Sequence, residues 1–139
     1  MKLYSVTVSR CIACGKCELA CGFAHARDGK AGQTRINIIR RGPEAGVPIV
    51  CYQCMDAACV KACPKNCIIR NAATGALDID YDLCTKCKAC VAACPFGNMQ
   101  WDENFKMVHK CDLCKGDPQC VPFCPTKALE YKEYKAAGE

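Results

Sequence analysis

The sequence predicts a small α+β fold in which short hairpins and single helical turns are gathered around metal. Three observations carry this. Cysteine makes up 17 of 139 residues. All but one of these thiols fall in four spaced groups of four, and the segments between the groups broadly alternate polar and apolar residues. The carbon core is thin: the 51% hydrophobic fraction counts cysteine, and without it about 39% remains, with only 4 Phe, 5 Tyr and 1 Trp to fill an interior. Cross-links must supply much of the order that packing otherwise gives.

In chain order, the first group is Cys11, Cys14, Cys17 and Cys21, spaced C-x2-C-x2-C-x3-C. The connection from Gly22 to Gly46 is the longest stretch without cysteine; it reads as a solvated linker or a docking loop, with a short strand at 35–39. The second group is Cys51, Cys54, Cys59 and Cys63, followed by Pro64, and its middle gap is widened to four residues. Ala73-Thr74-Gly75-Ala76 is a turn of the kind that closes a hairpin onto a strand at 77–81. The third group, Cys84, Cys87, Cys90 and Cys94, restores the first spacing and runs into Pro95, and a strand is expected at 99–102. The fourth, Cys111, Cys114, Cys120 and Cys124, has five residues in its middle gap and precedes Pro125, with a last strand at 128–131. Cys67 is the remainder.

This run is the one bacterial-type ferredoxins use for [4Fe-4S] clusters. Three thiolates two residues apart let a tight loop wrap three corners of one cube. The fourth lies past a helical turn such as Cys90-Val91-Ala92-Ala93-Cys94, faces away from the loop and serves the other cluster of a pair, and the proline stops the turn. Zinc motifs present two pairs across a long spacer, often with histidine, and do not repeat this pattern four times. Disulfides fit poorly, because the thiol count is odd and residues 1–10 show no apolar leader. With no apolar run long enough for a membrane span, a cytoplasmic protein is expected.

The chain resembles, over nearly its whole length, the four-cluster ferredoxin-like electron-transfer subunits of molybdenum and tungsten pterin oxidoreductases and of related hydrogenases and CO dehydrogenases. The unequal middle gaps, Cys54 to Cys59 and Cys114 to Cys120, carry the likeness. The family's ligand exchange implies one cluster on Cys11, Cys14, Cys17 and Cys124, and a second on Cys21, Cys111, Cys114 and Cys120. A third would use Cys51, Cys54, Cys59 and Cys94, and a fourth Cys63, Cys84, Cys87 and Cys90. Two bacterial-type 2[4Fe-4S] ferredoxin units would then be interleaved, an inner one at 51–94 and an outer one at 1–50 plus 95–139. Val108-His109-Lys110-Cys111 and the ending Cys124-Pro125-Thr126 look most like the small subunit accompanying tungsten-dependent aldehyde oxidoreductase. One departure is Gly22, where the other groups have proline.

The resemblance implies a subunit without catalysis of its own, in a hetero-oligomer, wiring a large pterin-containing catalytic subunit to a flavin subunit or ferredoxin. A hydrogenase, formate or CO dehydrogenase partner, or a free polyferredoxin, is the alternative, and a zinc-binding interaction module a distant one. Cys67 reads as a buried spacer, His25 and His109 as surface or structural residues, and Trp101 and Tyr52 as core. The formal charge of +5 becomes about −3 once four clusters, each about −2 with its thiolates, are counted, and the basic residues are scattered. Nucleic acid is therefore not an expected partner.

Overall fold

The computed structural model describes residues 2–133. The ends of the expected outer unit, Met1 and 134–139, lie outside the described residues. Along the chain come β1 (Lys2–Val6), α1 (Lys16–Ala24), β2 (Asn37–Gly42), β3 (Ala45–Ile49), α2 (Ala58–Ala62), β4 (Ile68–Arg70), β5 (Leu77–Ile79), α3 (Ala89–Ala93), β6 (Gln100–Asp102), β7 (Met107–His109), α4 (Cys120–Phe123) and β8 (Leu129–Glu133). Among the described residues the strands form four antiparallel ribbons, β1 with β8, β2 with β3, β4 with β5 and β6 with β7. This is a small α+β fold of mixed short elements.

The helices follow the cysteine groups. In three groups a helix of one turn ends just before the closing cysteine, and Pro64, Pro95 or Pro125 follows that cysteine. Where Gly22 replaces proline, α1 continues past Cys21 to Ala24. Proline removes a backbone donor and disfavours helical geometry in the residue before it, so its absence lengthens the helix.

Contacts divide the chain into two units, Met1–Ile49 with Asp117–Glu139, and Val50–Gly116. By its contacts segment 95–116, which the ligand-exchange reading counts with the outer unit, groups with Val50–Gly116: Met99, Trp101 of β6 and Val108 of β7 join its apolar interior. In the outer unit β1 and β8 pair from Lys2 opposite Glu133 to Val6 opposite Leu129. The last part of the expected 22–46 linker belongs to a hairpin that runs on to Ile49: β2 and β3 pair Ile38 with Pro48 and Arg40 with Gly46. In a two-stranded ribbon each strand has a free edge, which is where proline is tolerated. Gly46 is required by closeness, since a Cβ there would lie 2.6 Å from Ile38 Cγ2 and 3.2 Å from Ala13 Cβ. The hairpin is thereby pressed against the Cys11–Cys14 loop.

In the inner unit β4 and β5 are joined by the expected turn, with Gly75 N–H donating to Asn71 O. Its core is Ala57, Cys67, Ile68, Leu77, Cys90, Met99 and Val108. Of the residues expected in core roles, Trp101 packs against this cluster, under Lys88 Nζ at 4.3 Å from its ring centroid. Tyr52 does not: it is 63% exposed and meets Phe96 edge-on. His109 is buried in β7.

Candidate metal centres

Each cysteine loop carries the same backbone feature. The residue before the second cysteine has positive φ: Ala13 at 56°, Gln53 at 51°, Lys86 at 60° and Leu113 at 56°. None is glycine, so each costs about 1 kcal/mol or more in the folded chain. That conformation turns N–H groups toward the preceding thiol: Lys86 N lies 3.4 Å from Cys84 Sγ, and Leu113 N lies 3.4 Å from Cys111 Sγ. Inward-facing amides of this kind form a concavity suited to an anion.

A second device follows the closing cysteine. Asn66, Gly97 and Lys127, each three residues on, also have positive φ. The next N–H bonds back to sulfur, from Cys67 N to Cys63 Sγ at 3.4 Å and from Ala128 N to Cys124 Sγ at 3.3 Å. Burial alone would raise the thiols of Cys63, Cys94 and Cys124, yet these backbone donors outweigh it and bring all three below the ordinary value. Cys21, without the proline turn, is also lowered against burial, by the His25 ring and the Arg35 N–H at 3.2 Å. His25 Nδ1 lies 3.6 Å from Cys21 Sγ and 2.9 Å from Cys21 O, a structural role at the end of α1.

Two cavities gather thiols from separate groups. In the outer unit, a cavity is lined by Cys11, Cys14, Cys17 and Cys124, with Ile38, Pro48 and Leu129 as apolar wall. In the inner unit, another is lined by Cys63, Cys84, Cys87 and Cys90, with Ile68, Ile79 and Val108. The inner unit also brings Cys51 and Cys94 near Cys59, whose thiol is raised by burial first and by those two neighbours, while Lys110 pulls it down. Cys54 belongs to the same loop, which Arg70 staples by donating to the carbonyls of Gln53, Cys54 and Gly75. Of the remaining expected ligands, Cys21 and Cys120 belong to the outer unit and Cys111 and Cys114 to the inner one. Tyr4 Oη lies 3.0 Å from Cys120 Sγ, and burial, with Cys120 adding, pushes the Cys17 thiol up to about 12.

The donor sets fit iron-sulfur clusters. The walls are mostly sulfur and hydrocarbon, and the amides point at sulfur.

Cys67 was expected to be a spacer. It is buried, as Asn98 and Ala128 are at the equivalent place in their groups. It also lines the inner cavity, with its Sγ 3.2 Å from Cys63 Sγ, and burial and Cys63 push its thiol up to about 12. A thiol raised in this way stays a neutral S–H beside Cys63. Cys67→Ala is expected to retain the full iron content at a cost of about 1 kcal/mol in stability; iron analysis and denaturant unfolding check this, and loss of a cluster would make Cys67 a ligand.

Sequence reasoning missed Arg70, Gln53 and Lys110, none of which is a ligand position. Their roles depend on carbonyl groups brought together by β5 and by the Cys51–Cys54 loop, which no motif announces.

A family model described as a 4Fe-4S dicluster domain matches residues 45–134, and one described as a 4Fe-4S binding domain matches residues 8–24. The chain is similar to the polyferredoxin-like subunit of aliphatic sulfonate oxidoreductase from Pyrococcus furiosus, at 36% identity over 119 residues, 86% of this chain and 69% of that protein. It is also similar to the oxidoreductase UacF of Escherichia coli, at 33% identity over 96% of this chain, but it spans only 22% of that longer protein. Among solved structures it shares a fold with a chain of the active-site complex BamBC of benzoyl coenzyme A reductase, with TM-score 0.53 and 21% identity over 100% of this chain and 83% of that one. By the match over residues 45–134, the chain belongs to the 4Fe-4S dicluster domain family of ferredoxin-like proteins.

Proposed function

We propose that this chain is an electron-transfer subunit of an oxidoreductase complex, without catalysis of its own, carrying four [4Fe-4S] clusters on the sixteen ligands of the four groups. The ligand sets are Cys11, Cys14, Cys17 and Cys124; Cys21, Cys111, Cys114 and Cys120; Cys51, Cys54, Cys59 and Cys94; and Cys63, Cys84, Cys87 and Cys90. The observation that carries the reading is the pair of cavities in which three thiols of one group meet the closing thiol of another. When bound, each cluster supplies a one-electron carrier between its 2+ and 1+ core states.

The chain's own part is to hold and tune. Thiolates fix the metal, inward amides stabilise negative charge on sulfur, and apolar walls keep water from it. Ligation by exchanged closing cysteines makes an inner ferredoxin unit and an outer one built from the two ends of the sequence. No helix among the described residues is long and apolar enough to cross a membrane.

The partner we propose is a large pterin-containing catalytic subunit, in the first instance a tungsten-dependent aldehyde oxidoreductase, with a flavin subunit or ferredoxin as second redox partner. The motif around Cys111 and the likeness to a subunit of another oxidoreductase support it. The test is isolation of the native complex through a tag on this chain, under anaerobic conditions, with analysis for Fe, W, Mo and Ni. A brown protein with about 16 irons per chain, bleached by dithionite and co-purifying with a tungsten or molybdenum protein, is expected. Nickel in the partner would move the assignment to a hydrogenase or CO dehydrogenase, a brown monomer to a free polyferredoxin, and a colourless zinc protein would overturn the reading.

A further inference from the structure

Lys110 stands just before the fourth cysteine group and is 3% exposed. Its ammonium donates to Leu77 O at 2.6 Å, Cys111 O at 2.7 Å and Gln53 Oε1 at 2.8 Å. These three acceptors are neutral oxygens that hold the ammonium in place. Gln53 completes the cage by accepting from Leu77 N at 2.9 Å and donating from Nε2 to Cys111 O at 2.7 Å. Because Gln53 lies between Cys51 and Cys54, the ammonium is fixed against the loop that presents those two thiols. Its field reaches Cys59, whose thiol it pulls down against the effect of burial.

Burying an ammonium is costly even when it is fully hydrogen-bonded. Leu77 O and Gln53 could be satisfied by a neutral donor, so hydrogen bonding alone does not call for a charge here. What a charge adds is long range in a medium of low dielectric: it favours the more negative of two states of any group nearby.

We propose that Lys110 is a fixed cation that raises the reduction potential of the cluster held by Cys51, Cys54, Cys59 and Cys94. This rests on the cluster reading above. Lys110 acts through space on the metal site and ligates nothing.

The test is a potentiometric titration of the iron-loaded full-length protein, followed by electron paramagnetic resonance, for the wild type, K110M, K110R and Q53E. Cys59→Ser identifies the signal belonging to this set. With K110M that signal is expected to shift to lower potential by about 59 mV or more, a tenfold change in a one-electron equilibrium, and by more than any other signal. K110R restores it. Q53E, which keeps the lysine and sets a carboxylate against it, lowers the same signal. An iron-loaded K110M whose potentials do not move, or move equally at every signal, overturns the proposal. If K110M does not load iron, Q53E and K110R decide: an unmoved Q53E, or a K110R lowered as far as Q53E, overturns it. Failure of the wild type itself to bind iron is a different result, and sinks the cluster reading instead.

Discussion

Stripping iron from the holo-protein with a chelator, with thiols kept reduced, is expected to unfold the chain. The dispersed amide resonances should collapse and the far-ultraviolet helical signal should fall, and both should return when iron and sulfide are restored. Ordering costs roughly 1–2 kcal/mol per residue of backbone alone, and little here opposes it. Among the described residues the largest fully buried side chains are Ile36, Leu129 and Val108. Several of the other buried positions are themselves cysteines: Cys17, Cys21, Cys67, Cys90 and Cys120. The helices run from four to nine residues and every sheet has two strands, lengths at which neither element is stable alone. The left-handed residues Ala13, Gln53, Lys86 and Leu113 add strain that only a filled loop offsets. Metal binding energy is then folding energy. An apo-protein that keeps a dispersed spectrum would show that the apolar clusters suffice.

The second large effect concerns which cysteines share a cluster. Cys14→Ala and Cys124→Ala are each expected to lower the iron content from about 16 to about 12 per chain and to abolish the same paramagnetic signal. The double variant should also hold about 12, since both thiols face one cavity with Cys11 and Cys17. If each cysteine group instead held its own cluster, the two losses would fall on different signals and the double variant would hold about 8. Iron and sulfide analysis with spectroscopy of the three proteins separates these results. Non-additivity of this kind is the signature of residues acting as one unit.

The ligand chemistry was legible because it is local: two-residue spacings, a helical turn and a proline are properties of adjacent residues. The one-turn helix at Ala89–Ala93 and the hairpin around Gly75 follow from the same short range. The strand read at 35–39 overlaps β2, but its partner β3 was hidden by composition, since Gly42, Pro43, Gly46 and Pro48 do not read as a strand until Gly46 is seen to make room for Ile38 and Ala13. The placement of 95–116 with the inner unit is set by side chains from β6 and β7 meeting residues distant in sequence. The same holds for Lys110, whose three acceptors come from Gln53, Leu77 and Cys111. The burial of Cys67 follows its repeat position, whereas its contact with Cys63 depends on the left-handed turn at Asn66.

The pairing of β1 with β8 bears on how such a module combines with other polypeptide. Lys2 sits opposite Glu133, so the first and last described strands, five residues each, lie side by side. A segment whose two limbs are neighbours in this way can be spliced into a longer chain as a closed excursion, leaving the host's path almost undisturbed.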